Sequence, residues 1–414
     1  MLAETAGTEA GLNIETIEII LLIGAVVAII ARRFKIPYTV GLVVAGIVLA
    51  LLPLGIQIEF SKELLFKVLL PPLIFEAALY IHWKELKRDL LPVVTFASAG
   101  VLLSAAVTAS AMHFIIGWDW ITSALFGVLI AATDPVSVIA TFKEAKVEGR
   151  LRLLVEAESL FNDSTAAVAF AIALAFAMGQ TMAAGTAALA MFLSVIGGIA
   201  SGLVIGYICL WIAGRTTDHL IEIALTTVAA FGSFWVAEQF GYAGVHFSGV
   251  LASMTAGLLV GNTKELGFVT EKGDESIEDF WEFAAFVVNS IIFIILGINE
   301  AYQDFGRSAL AIGVAIVAVL VARAVAIYPI SAVYSKSRWK IDPEHQHIMF
   351  WGGLRGALAL ALALGIPDSV PFKSEILTVT FGVVAFSVFA QGLTMTPLLK
   401  RLRQLPDLEV EVKD

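Results

Sequence analysis

The chain has 414 residues, of which 59% are hydrophobic and 15% charged, with a formal net charge of −10 and a single cysteine. Soluble domains carry roughly 45–50% apolar and about 25% charged residues, so an ordinary water-soluble fold is excluded. The acidic balance without a basic stripe argues against a nucleic-acid partner, and Cys209 alone excludes an intrachain disulfide framework.

Apolar blocks of about 17–25 residues, the length that crosses a hydrocarbon core of ~30 Å, alternate with short charged loops. The opening "MLAETAGTEAGLNIE" has no basic n-region and reads as uncleaved, with the first span as its own insertion signal. Thirteen spans are expected, at about 15–31, 38–54, 61–80, 90–116, 122–142, 151–177, 183–212, 220–238, 245–261, 277–297, 307–335, 345–364 and 373–400. No linker divides them. The expectation is an all-α polytopic membrane protein with one transporter domain over 1–414. Its spans cover about 15–400, and 401–414 form a short cytoplasmic tail. Alternate loops collect twenty of the 26 basic residues, against Lys62, Arg307 and Lys373 on the other side. That bias predicts an external N-terminus and a cytoplasmic C-terminus.

The fifth span reads "VLIAATDPVSVIATF", and Pro135 must break it near Thr133 and Asp134, because proline lacks an N–H and clashes with the preceding turn. The twelfth reads "MFWGGLRGALALALAL", where Gly352, Gly353 and Gly356 permit unwinding around Arg355. Each half of the chain thus holds one interrupted span with a charge at the break. Inverted-repeat transporters place their substrate site at such paired discontinuous helices.

Glu76, Asp134, Glu158, Asp163, Arg323 and Arg355 fall inside spans. Each costs roughly 2.5–3.5 kcal/mol at mid-bilayer, so some must pair and some must face water. In "ESLFNDSTA", Ser159 and Asp163 share one helical face, and Glu158 and Asn162 share the neighbouring one. The first face can carry an ion-ligand pair of hydroxyl and carboxylate. The second can carry a structural acid, and a Glu158–Arg323 bridge would neutralise two charges. Asp134, Asp163 and Glu76 remain as hard oxygen ligands suited to a small hard cation. A carboxylate in such a site can hold a proton or a monovalent cation but not both, which makes coupled exchange possible.

"LLPPLIFEAAL", "ATDP", "ESLFND" and "GGLRGA", in this order, resemble the sodium/proton antiporters of the monovalent cation:proton antiporter family 1, the NhaP/NHE type. The resemblance runs from about residue 15 to 400. It implies the NhaA-like antiporter fold, with the fifth and twelfth spans crossing, a mobile core domain and a homodimer. It implies Asp163 as the principal ion and proton site, and coordination completed by Asp134, the Thr133 backbone and Ser159. Glu76 contributes from the third span. Asn162 stands where electrogenic relatives carry a second Asp, which implies electroneutral exchange. The resemblance also implies a bridge from Glu158 to an arginine of the eleventh span, with Arg355 at the crossing, where it either offsets carbonyl ends or competes for Glu158.

The expected function is an electroneutral Na+(Li+)/H+ antiporter working by alternating access, with no cofactor and no enzymatic activity, in a prokaryotic cell membrane. The alternatives are a K+-preferring or electrogenic exchanger on the same fold, or an ion channel, for which no filter-like loop appears. An intramembrane enzyme would need a nucleophile with a base or a metal set, and no span carries one. His246 stands between a pH sensor and a hydrogen-bonded packing histidine. Glu156, Glu222 and Glu238 read as interfacial.

Overall fold

The structure is a computed structural model that describes residues 14–34, 36–52, 62–134, 138–139, 141–142, 145–263 and 268–404. It is helical almost throughout. The helices are α1 (Ile14–Phe34), α2 (Tyr38–Leu51), α3 (62–79), α4 (Trp83–Ile116), α5 (Trp120–Leu129), α6 (Arg150–Ala177) and α7 (Ala184–Ala213). Then come α8 (His219–Gln239), α9 (Gly249–Gly261), α10 (Glu271–Ala301), α11 (Ala309–Val333), α12 (Pro343–Trp351), α13 (Ala357–Leu364) and α14 (Lys373–Arg401). Among the described residues, seven of these are long and apolar enough to cross a membrane: α4, α6, α7, α8, α10, α11 and α14. Large apolar side chains such as Leu22, Phe114, Phe192, Trp235 and Val333 point outward. In water they would be a liability; against lipid they are the required surface.

Helix ends are set by local chemistry. Asp119 caps α5 by accepting from the N–H groups of Ile121 and Thr122, both at 3.0 Å. Ser248 caps α9 through Leu251 N at 3.2 Å, and Thr270 caps α10 through Gly273 N at 3.0 Å. Pro92 lies inside α4 and has no N–H for the carbonyl of Arg88. The Trp339 indole donates to that carbonyl instead, at 2.8 Å.

Two points differ from the expected elements. A two-residue hairpin pairs Gly241–Tyr242 (β1) with Val245–His246 (β2) where the ninth span was expected to begin. Its turn, Ala243–Gly244, has positive φ at both residues, which a helix cannot continue through. Segments of π-helix also interrupt α3 at Leu65–Leu69, α4 at Phe96–Gly100 and Met112–Ile116, and α14 at Ser387–Gly392. Each widens one turn, which hydropathy does not register.

Two packing clusters divide most of the helices between them. The larger joins α4, α5, α6, α9, α11, α12 and α14. The second joins α1, α2 and α10 with one face of α3. The short α13 belongs to both: Leu358, Ala359, Leu362 and Ala363 face the first, and Ala357, Leu360 and Ala361 face the second. The seam between the clusters runs past α13.

Candidate functional site

The fifth and twelfth spans are both interrupted. α5 ends at Leu129 and the chain runs non-helical through 132–134; α12 ends at Trp351 and α13 starts at Ala357. Pro135 lies outside the described residues. The two breaks touch: Asp134 N donates to Leu354 O at 2.8 Å. Arg355 Nη1 donates to Ala131 O at 2.7 Å and Ala132 O at 3.0 Å. It sits against the carbonyl end of α5, where a cation opposes the helix dipole, and it is Arg323, not Arg355, that bonds Glu158.

Close approach explains two glycines. A Cβ on Gly356 would run into the Asp134 carboxylate, and one on Gly353 into the Arg323 guanidinium. Gly352 closes the last turn of α12, its N–H donating to Ile348 O at 2.7 Å.

α6 presents two different faces, but Ser159, expected beside Asp163, joins the network of Glu158 and Asn162 through Thr133. On one, Arg323 Nη1 and Nη2 donate to Glu158 Oε1 and Oε2 at 2.7 and 2.9 Å, a bidentate pair with both residues buried. Arg323 Nε and Nη2 also donate to Met349 O, at 3.1 and 2.9 Å. Asn162 Nδ2 donates to Glu158 Oε1 at 3.1 Å and to Thr133 Oγ1. Asn162 Oδ1 accepts the Thr133 N–H at 3.0 Å. Thr133 Oγ1 then donates to Ser159 Oγ at 3.0 Å. An unbroken polar chain therefore runs from Arg323 to Ser159 and ties the broken fifth span to α6.

On the other face stands Asp163, 3% exposed. Its Oδ1 is buried and has no hydrogen-bond partner among the described residues. It lines a cleft at the seam with Thr133, Asp134, Gly356 and Asn289, closed by apolar side chains such as Leu73 and Phe293. A buried acceptor without a partner costs about 1–3 kcal/mol.

Of the expected residues, Asp163, Asp134 and Thr133 meet at the cleft. Ser159 does not line it, and its hydroxyl is engaged by Thr133. Glu76 is buried on α3 but is not in the lining. Two acids expected at the interface are buried: Glu156 is ion-paired to Arg152 at 2.6 Å. Glu222 accepts from Thr270 N and Oγ1, at 3.2 and 3.1 Å. Glu238 is exposed. His246 is an exposed side chain whose backbone O accepts from Ser194 Oγ at 2.7 Å. Asn289 and the buried Glu300 were not singled out from the sequence. The signal for Asn289 was one amide in the apolar run "FVVNSIIF".

The family model described as "Sodium/hydrogen exchanger, transmembrane" matches residues 19–401. The Na(+)/H(+) antiporter ApNhaP of Aphanothece halophytica is 36% identical over 375 residues, covering 90% of this chain and 71% of that protein. The Na(+)/H(+) antiporter NhaH of Halobacillus dabanensis is 32% identical over 404 residues, covering 93% of this chain and 97% of that one. The solved structure of the sodium proton antiporter MjNhaP1 from Methanocaldococcus jannaschii at pH 8 superposes with a TM-score of 0.74 at 20% identity. That match covers 94% of this chain and 98% of the other. At that identity it shows a shared fold.

Proposed function

The chain belongs to the sodium/hydrogen exchanger family, and from that premise we propose that it exchanges one Na+ or Li+ for one proton, electroneutrally, by alternating access. The single observation that carries this reading is the unpartnered Asp163 Oδ1 beside Asp134 in the cleft where the two broken spans meet. Asp163 binds ion and proton in competition. Asp134, the Thr133 backbone and Ser159 complete the coordination, and Glu76 assists from α3. Ser159 Oγ accepts one bond, from Thr133, and keeps a second lone pair for the ion. Glu158 and Arg323 support the site as a neutralised pair, and Arg355 holds the crossing.

Asn162 supports electroneutrality because it is neutral, and its amide is committed to Thr133 and Glu158. The proposed setting is thirteen spans in inverted repeats, the NhaA-like arrangement. The protein is a homodimer in a prokaryotic cell membrane, with the N-terminus outside and the C-terminus in the cytoplasm.

The test is purified protein in liposomes with an imposed pH gradient, followed on addition of Na+, Li+ or K+. Na+ and Li+ dissipate the gradient, clamped voltage leaves the rate unchanged, and Asp163→Asn abolishes the response. A rate that follows voltage would refute electroneutral exchange. A response to K+ alone would move the selectivity, and a fully active Asp163→Asn would remove the site.

A further inference from the structure

Some polar side chains of α10 bond within the helix or against α2, whereas Asn289 Oδ1 and Glu300 Oε1 are enclosed without a partner among the described residues. Ser290 Oγ donates to Phe286 O at 2.7 Å and meets the Tyr38 hydroxyl at 2.7 Å. Asn299 Nδ2 donates to Ile295 O at 2.9 Å. Asn289 does neither. Its Oδ1 is enclosed and accepts no hydrogen bond among the described residues, and the residue lines the cleft on one helical face with Ile292 and Phe293.

Asp163 Oδ1, in the same cleft, is in the same condition. Both atoms are acceptors, so neither can satisfy the other. A donor or a cation between them satisfies both. An amide oxygen is a hard, neutral ligand that does not titrate. It cannot store the exchanged proton, but it can replace a water on a small monovalent cation. The two oxygens also sit on helices of different packing clusters: α10 packs with α1 and α2 in the second, and α6 packs in the first.

We propose that Asn289, which lines the same cleft from another helix, is a further cation ligand that favours the metal ion over the proton while α6 and α10 stand as they do here. The inference rests on the reading of Asp163 as the exchange site. A ligand on each side of a seam makes cation affinity depend on how the two sides are placed. It gives one conformation a tighter hold on the ion without moving a charge.

The experiment is Na+-dependent exchange in proteoliposomes at fixed pH, together with Na+-dependent thermal stabilisation of the purified protein. Asn289→Leu raises the apparent KM for Na+ by roughly three- to tenfold, more than it lowers the maximal rate, and weakens stabilisation by Na+ to match. Asn289→Asp restores an oxygen at the same place and brings KM back toward that of the parent. An unchanged KM in folded Asn289→Leu overturns the proposal, as does a loss confined to maximal rate. If Asn289→Leu does not fold, Asn289→Ala and Asn289→Asp decide: equal KM values in those two also overturn it. Asp163→Asn serves as the control. Exchange surviving there refutes the site itself, whereas Asn289→Leu with normal KM refutes only the added ligand.

Discussion

Glu158 and Asp163 stand five residues apart on α6, 1% and 3% exposed, and their surroundings are opposite. Glu158 has both oxygens on Arg323 and a third bond from Asn162. Asp163 has an oxygen that nothing in the described structure satisfies. Burial alone therefore does not separate the two acids; the completeness of their hydrogen bonding does. A fully compensated carboxylate has no reason to exchange partners, and an uncompensated one has a standing affinity for a donor or a cation.

The sharpest way to break the comparison is to remove one partner of the compensated acid. Arg323→Leu leaves Glu158 buried and unpaired, at a cost on the order of 3–5 kcal/mol, read as lost folded protein on size exclusion and a lower Tm in detergent. Glu158→Gln with Arg323→Met recovers much of that loss, because both charges go together. Asp163→Asn, by contrast, leaves Tm unchanged or higher while exchange is lost. A Tm drop in Asp163→Asn as large as in Arg323→Leu would erase the distinction.

A smaller effect is expected at Gly356→Ala, where a methyl group must displace the Asp134 carboxylate. Overpacking of this kind costs roughly 1–3 kcal/mol. The readout is a lower Tm together with a reduced maximal exchange rate. Unchanged kinetics would mean that Asp134 can move aside freely. The smallest is Thr133→Val, which removes one hydroxyl from the relay between Asn162 and Ser159, for about 1 kcal/mol. Besides the small loss in Tm, it removes the bond that orients Ser159 Oγ, so a shift in apparent KM for Na+ would show that hydroxyl entering the ion's coordination.

Much of this contrast was legible in the sequence. Four-residue spacing separates Glu158 and Asn162 from Ser159 and Asp163, and a lone Arg323 in an apolar span needs an acid. The interruptions near Asp134 and around Arg355 follow from Pro and Gly chemistry. The rest was hidden for physical reasons. Ser159 looked free because its partner, Thr133, is 26 residues away on another span. Asn289 looked like any amide in a helix, because sequence does not say whether such a group bonds its own turn, as Asn299 does, or faces a seam. Glu156 and Glu222 lie near helix ends, which suggests exposure, but Glu156 is buried in an ion pair with Arg152 of its own helix and Glu222 against Thr270.

The glycines of the twelfth span also bear on how its break is held. The Arg323 guanidinium occupies the place of a side chain at Gly353, and the Asp134 carboxylate does so at Gly356. Arg323 belongs to α11 and Asp134 to the fifth span, so the two contacts tether the twelfth break to two different neighbours, with the Asp134–Leu354 backbone bond beside the second. A methyl group at Gly353 strains the hold of α11 on the break, and one at Gly356 strains the hold of the fifth span, so the two glycines separate two tethers that the fold brings to one place.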